Sequence, residues 1–242
     1  MAFKEGDFLE VEYSAWRTAD NQLLSTTDKA KAETAGIYQK EIKYGPVLVV
    51  LGSGGIVKGV DNALRGMSLN EVKKVTLKPA DAFGERNENL VRVMPLSEFK
   101  KRDIDPYPGM RVNLDEATAT VKSVNSGRVV VDANHPEAGA EITYEVKVVK
   151  HIADEKEKIK SLGRTYGVEP EKITITQGTA ELAYGEKVQK NYDYFVGKAS
   201  LLASMFTYLD SIKKVEVKEE YAKPSEKQEP QQENNGNATD TE

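Results

Sequence analysis

Residues 51–67, LGSGGIVKGVDNALRGM, set three glycines between an apolar run and a helical spacing, and few folds accommodate that junction. The run Val47-Leu48-Val49-Val50-Leu51 is too short and too β-branched for a helix and predicts a strand. Gly52, Gly54 and Gly55 permit positive φ and close backbone approach. Val57, Val60, Leu64 and Met67 then recur at helical spacing, with Gly66 and Ser68 marking the following turn. The expectation is strand, glycine loop, short buried helix. A phosphate cradle is a poor match: Val57 stands where the last glycine of G-x-G-x-x-G belongs, and no Gly-Lys-Ser/Thr follows.

Around this junction the chain reads as strands. From Phe8 to Trp16, Leu9, Val11, Tyr13 and Ala15 share one face while Glu10, Glu12 and Ser14 share the other. Asn21-Gln22 predicts a turn into a second strand that starts at Leu23-Leu24 and runs into Ser25-Thr26. Residues 29–45 are polar with scattered apolar positions and read as a loop carrying a helical turn. Val72, Val75 and Leu77 suggest another strand, and Ala80-Asp81-Ala82-Phe83-Gly84 a loop. The clearest alternation is 141–148, with Ile142, Tyr144, Val146 and Val148 on one side; it needs a sheet, and the sheet lies in residues 7–77.

Composition excludes several kinds of function. The chain of 242 residues has no cysteine, which removes disulfides, thiol nucleophiles and thiolate metal sites and suits a reducing cytoplasm. A net charge of -5 gives no general pull toward nucleic acid or anionic membrane. No run approaches the ~18 apolar residues of a membrane span, and the N-terminal stretch lacks the apolar core of a signal peptide. With two histidines, His135 and His151, and no acidic cluster beside them, a metal site is not expected and His135 reads as a turn residue. No cofactor is expected.

Taken together, Gly6-Asp7 into the Tyr13 strand, Leu51-Gly52 through Val60, Ala63-Leu64-Arg65-Gly66-Met67, Asp81-Ala82-Phe83-Gly84-Glu85 and Val129 to Pro136 followed by Ala138-Gly139 form a pattern. It resembles the FKBP-type peptidyl-prolyl isomerases, in the SlyD-like branch that carries an insert-in-flap domain. The resemblance covers about residues 6–150, with a gap across 29–45. It implies an α+β fold, a bent antiparallel sheet on a short helix with an apolar pocket between them. Matching pocket positions are Tyr13, Leu24, Ser25, Val47, Ile56, Val57, Val60, Phe83 and Tyr144, with the Val57 backbone N–H holding a substrate carbonyl. Three positions depart from the family pattern: Ser25 stands where many members have Asp, Phe83 where many have Tyr, and Val60 where the best-known members have Trp. These departures imply a modest isomerase that binds the family's macrolide inhibitors weakly. Asp28 is a nearby acid that could stand in for the missing carboxylate.

Residues 87–139 are too long for a plain connection. The runs 117–124 and 128–132 flank Asn125-Ser126-Gly127, a hairpin signal, and predict a small β domain. Resemblance to the insert-in-flap module implies capture of unfolded chains, for which Met94, Leu96, Phe99 and Met110 are the candidates; Glu137 occupies a place where family members often have an apolar residue. The FKBP-like domain would then comprise residues 1–86 and 140–152.

Residues 153–221 read as a C-terminal α/β domain resembling the extension of long-type archaeal members. Asp154 to Tyr166 predicts a helix, 173–176 and 180–184 a hairpin, and a long helix follows to about Ile212. On that helix Phe195, Ala199, Leu202, Phe206 and Leu209 form one stripe, and Leu201, Met205, Tyr208 and Ile212 a second. One hairpin does not easily cover both, so a homodimer through the second stripe is expected. Residues 222–242 have almost no apolar side chain and read as disordered. The expected function is prolyl isomerisation joined to chaperone activity on unfolded chains bearing Xaa-Pro bonds; the alternative is a non-enzymatic holdase or peptide-binding protein with a decayed pocket.

Overall fold

The computed structural model describes residues 2–114, 117–185 and 191–221, arranged as two compact units, Met1–Ser161 and Leu162–Glu242. The disorder expected for 222–242 lies outside the described residues.

The first unit is built on β1 (Phe8–Arg17). One edge of β1 pairs along its length with β9 (Ile142–Ile152), which in turn pairs with β4 (Val72–Leu77). The other edge is shared: residues 8–11 pair with β3 (Val47–Val50) and residues 14–17 with β2 (Gln22–Thr26), all antiparallel. At the gap between these two partners Thr27 takes over, its N–H donating to Tyr13 O at 2.9 Å and its Oγ1 accepting from Tyr13 N at 3.0 Å. Register breaks after Glu10 and after Ala15 bend the strand, the expected effect of an extra residue in an antiparallel ladder. Ser14, on the face read as solvent-facing, is instead buried and pairs its hydroxyl with that of Thr26 at 2.8 Å.

The apolar face of this sheet closes on α2 (Lys58–Arg65), the helix expected after the glycine loop. Leu9, Val11, Ile142, Val146 and Val148 pack with Val60, Leu64 and Met67 in one core. Each such side chain contributes about 1.5–3 kcal/mol on burial. The helix lies unusually close to the sheet because its second residue is glycine: a Cβ on Gly59 would sit 2.3 Å from a methyl of Leu77. The glycine loop is tied down by Asp61, which accepts from Gly52 N at 2.8 Å and from Arg65 Nη2 at 2.8 Å. A short helix, α1 (Lys29–Thr34), stands within the 29–45 excursion.

A four-stranded antiparallel sheet interrupts the unit between β4 and β9, in the order β5 (Val91–Pro95), β8 (Arg128–Asp132), β7 (Ala117–Asn125), β6 (Arg111–Leu114), with α3 (Leu96–Lys100). The β7–β8 hairpin turns through Ser126 and Gly127, both at positive φ (46° and 75°), as a two-residue loop matching strand twist requires. β6 was not anticipated. Its core is Phe99, Val112, Ala119, Val121, Val129 and Val131. The sheet's two connections meet in a polar stem: Asn87 N donates to Asn134 Oδ1 (2.8 Å), Asn134 Nδ2 to Asn87 O (2.9 Å), and Gly139 N to Gly84 O (2.9 Å). Arg86 pairs with Asp132 at 2.6 Å. Burial alone would raise the Asp132 carboxyl, but hydrogen bonds from Asn134 and Arg86 hold it below the usual carboxylate range.

Helix α4 (Glu155–Thr165) matches the expected helix, and β10 (Lys172–Thr176) and β11 (Thr179–Tyr184) the expected hairpin. The rest of the second unit departs from the sequence reading. Helix α5 ends at Tyr208 rather than near Ile212, and a further strand, β12 (Lys214–Glu219), pairs in parallel with β11. Leu201, Met205 and Ile212 are buried within the protomer, so the second stripe is core and dimerisation through it is ruled out by burial. Of the first stripe, Phe195 and Phe206 are exposed, at 46% and 54%, whereas Leu209 is buried at 3%. Glu219 closes this unit: burial would raise its carboxyl, yet donors from Lys198, Tyr194 and Tyr221 hold it down to about 2.

Candidate functional site

Eight of the nine pocket positions belong to one apolar cluster, and each arrives from a different local cause. Tyr13 projects from β1 and Tyr144 from the neighbouring β9, their ring centroids 6.1 Å apart. Leu24 and Val47 come from β2 and β3, which flank the gap on β1. Ile56 and Val57 end the glycine loop, and Val60, fully buried in α2, lies beneath them. Phe83 follows a short 3₁₀ turn at Pro79–Asp81, locked by Gly84 N donating to Pro79 O at 2.7 Å. Six of these, Tyr13, Leu24, Val47, Ile56, Val57 and Phe83, are only partly buried, so an apolar wall reaches the surface there.

Ser25, the ninth position, joins through polarity: its Oγ lies 3.2 Å from the Tyr13 hydroxyl. Burial, with Tyr13 beside it, pushes the Tyr144 phenol up to about 12, so it keeps its proton. The Val57 carbonyl accepts from Val60 N and Asp61 N, while the Val57 N–H has no acceptor among the described residues. Asp28 does not replace the missing carboxylate. Its Oδ1 caps α1 by accepting from Lys31 N at 3.1 Å, and it faces a cleft of about 210 Å³ among Glu12, Lys31, Glu145 and Lys147. That cleft is charged on both sides, with Lys31 paired to Glu145 at 3.4 Å, and offers little to an apolar ring.

Two residues at the wall escaped the sequence reading. His135 stacks face to face on Phe83, centroids 4.2 Å apart and planes 7° from parallel, while its Nδ1 accepts from Glu137 N at 3.2 Å. The turn role was legible beside Pro136; the stacking joins residues far apart in sequence and left no local signal. Glu137, the odd charge in an apolar position, is matched by Arg17, whose Nε and Nη2 both donate to its carboxylate at 2.9 Å. The stem of the inserted sheet thus braces one wall of the cluster.

In the inserted sheet Met94, Leu96 and Met110 are partly buried against its core. Phe99 is corrected: at 3% exposure it is core, the floor of a groove of about 10 Å³ beside Met94, Ile104 and Leu114. The large apolar residues exposed here, among the described residues, are Leu90 at 39%, Val93 on the edge strand at 61% and Tyr107 at 62%.

Among the described residues the acid and base at the wall are Glu137 and His135, the one held by Arg17 and the other stacked on Phe83. The arrangement can grip an apolar ring and offer one backbone donor and two hydroxyl-bearing side chains, Tyr13 and Ser25.

A family model described as FKBP-type peptidyl-prolyl cis-trans isomerase matches residues 1–100, and one described as FKBP26, IF domain, matches residues 92–137. The short-type peptidyl-prolyl cis-trans isomerase of Methanocaldococcus jannaschii is 31% identical over 145 residues, 60% of this chain and 91% of that protein. The FKBP-type isomerase SlyD of Pasteurella multocida is 30% identical over 137 residues, 55% of this chain and 68% of that protein. SlyD of Escherichia coli K12 is 28% identical over 137 residues, 55% of this chain and 69% of that protein.

Proposed function

The chain belongs to the FKBP-type peptidyl-prolyl cis-trans isomerase family, and from that premise we propose that it accelerates proline-limited folding by turning over Xaa-Pro bonds in unfolded chains. The observation that carries this reading is the apolar cluster of half-buried Tyr13, Ile56, Val57 and Phe83 over buried Val60 and Tyr144, with the Val57 N–H at its rim unpaired among the described residues. Rotation about an amide meets a barrier of about 18–20 kcal/mol because twisting removes the partial double bond. A dry wall that fits the twisted prolyl amide better than either planar form lowers that barrier by differential binding. No proton need move to or from the protein. The Val57 N–H holds a carbonyl of the substrate so that torque falls on one bond.

The inserted sheet supplies capture. Residues 87–139 act as the chaperone module, with Met94, Leu96 and Met110 meeting the chain over Phe99; residues 1–86 and 140–152 act as the isomerase domain. Capture near the pocket raises the local concentration of Xaa-Pro bonds. Cytoplasmic location is part of the same proposal: the chain has no cysteine, and no helix among the described residues is long and apolar enough to cross a membrane.

The test is exchange NMR on a short Xaa-Pro peptide. The unaltered protein should accelerate exchange, and Phe83→Ala should lower kcat/KM about ten-fold, equivalent to ~1.4 kcal/mol of transition-state binding. Since burial pushes the Tyr144 phenol up to about 12, it stays protonated at neutral pH and adds no limb to the pH profile there. Absence of acceleration by the unaltered protein would leave the non-enzymatic holdase.

The C-terminal unit, residues 153–221, is proposed to form a homodimer through the face of α5 (Tyr192–Tyr208) that carries Phe195, Ala199, Leu202 and Phe206. The partner is a second copy because the stripe is its own complement: antiparallel pairing about the middle of the helix sets Phe195 against Phe206 and Ala199 against Leu202. Sedimentation equilibrium should find a dimer that Phe206→Glu turns into a monomer. A concentration-independent monomer for the unaltered protein would end the idea.

A further inference from the structure

The ion pair between Arg17 and Glu137 is built more tightly than a surface pair needs to be. Arg17 closes β1 where that strand is held on both edges, opposite Gln22 of β2 and Ile142 of β9. Its Nε and Nη2 each donate to one oxygen of Glu137 at 2.9 Å, and its Nη1 donates to Asp20 Oδ2 and Gln22 Oε1 at 2.8 Å each. The Arg17 and Glu137 side chains are 29% and 15% exposed. With its fork filled from inside the protein, the guanidinium is not arranged to meet a substrate.

Glu137 stands in the turn that carries His135. The bonds within that turn are local: Glu137 N donates to His135 Nδ1 at 3.2 Å, Ala138 N to His135 O at 2.9 Å and Ala140 N to Glu137 O at 3.2 Å. None of these three ties residues 135–138 to the sheet. The stem holds the turn at its ends, through Asn134 and Gly139, and the Glu137 carboxylate ties its middle to β1. His135 in turn lies flat on Phe83, a partly buried member of the apolar cluster. A chain of contacts therefore runs from Arg17 through Glu137 and His135 to the ring face of Phe83. It couples Phe83 to the same strand that supplies Tyr13.

We propose that Arg17 and Glu137 are positioning residues of the isomerase, holding the His135 turn so that Phe83 stands where the twisted prolyl amide needs it. The inference rests on the isomerase reading. Where catalysis is a matter of fit, a displaced wall gives up contacts made only with the twisted form, while binding of the planar forms changes little. Loosening the pair therefore acts on kcat and spares KM. Lysine cannot stand in for Arg17, since a point charge does not fix a carboxylate in one plane.

The experiment measures kcat and KM of the full chain on a short Xaa-Pro peptide by exchange NMR, together with the ring-proton shifts of His135, which the Phe83 ring displaces while the two are stacked. Glu137→Gln and Arg17→Lys should each lower kcat about five-fold with KM changed less than about two-fold. The His135 signals should move toward those of free imidazole, and those of His151, the other histidine, should stay in place. In a His135→Ala background the same substitutions should lower kcat by no more than about 1.5-fold, because the residue they act through is gone. Both keep side-chain length and a hydrogen-bonding group at the surface, so the core stays intact. Unchanged kcat, a loss confined to KM, a full loss in the His135→Ala background, or unmoved His135 signals overturns the positioning role while leaving the isomerase reading standing. No turnover by the unaltered protein overturns both.

Discussion

A chain in which residues 88–133 are replaced by a short glycine-rich turn keeps most of its activity on tetrapeptides and loses about 100-fold in its acceleration of proline-limited refolding of a whole protein. The cut is set by the stem. Asn87 and Asn134 face each other across two hydrogen bonds of 2.8 and 2.9 Å, so a turn can join them without moving the strands they end. Cutting there leaves His135 stacked on Phe83 and Glu137 paired with Arg17. A cut at the limits 87–139 would remove both braces and confound capture with damage to the pocket. The two activities separate because a short peptide needs only the apolar wall, whereas a long chain gains from being held while its prolines search for it. Refolding of a proline-limited substrate, followed by fluorescence alongside peptide exchange NMR, checks the split. Equal loss in both assays would mean that the sheet supports the pocket rather than capturing chains.

Gly197→Ala lowers the stability of the C-terminal unit by about 2 kcal/mol, opposite in sign to the usual gain from placing alanine in a helix. Gly197 is buried in α5 where the helix crosses the turn after α4, and a Cβ there would lie 2.4 Å from Tyr166 O and 2.9 Å from a methyl of Val168. Backbone cannot swing aside as the tip of a side chain can. The clash costs about 3 kcal/mol, and better helix propensity offsets about 1. The nearby contact between the Tyr166 hydroxyl and Ser204 Oγ, 2.7 Å long, would stretch as the helix lifts. Urea unfolding followed by circular dichroism measures the loss, and peptide isomerase activity should not change. Unaltered stability would mean that the 166–168 turn yields, and that glycine at 197 serves something other than close packing.

The sequence alone carried the outline of the first unit, because its elements are short and their periods unmixed. The alternation of 141–148 marks β9, the β-branched run at 47–50 marks β3, and the spacing of Val57, Val60 and Leu64 marks α2; each follows from one face being dry and one wet. The family was legible for the same reason, since its motifs are turns and core positions fixed by local geometry. In the C-terminal unit that logic failed. Lys214–Glu219 alternates as a strand should, but a helix extended to about Ile212 leaves no turn before it, so the pattern hides β12, whose side of the unit holds the buried Leu201, Met205 and Ile212.

Leu51 to Met67 determined by itself that a strand must turn sharply into a short helix, because glycine takes the positive φ found at Gly52 and Gly54 without strain; the closeness of Gly59 to Leu77 is set by the tertiary structure. What surrounds the loop was decided by tertiary structure alone. His135 reaches Phe83, Arg17 reaches Glu137, and the 29–45 excursion faces Leu24 and Val47 only after β1, β9 and the stem have brought distant segments together. Local periodicity records which face of an element is buried; it carries no record of which distant side chain buries it.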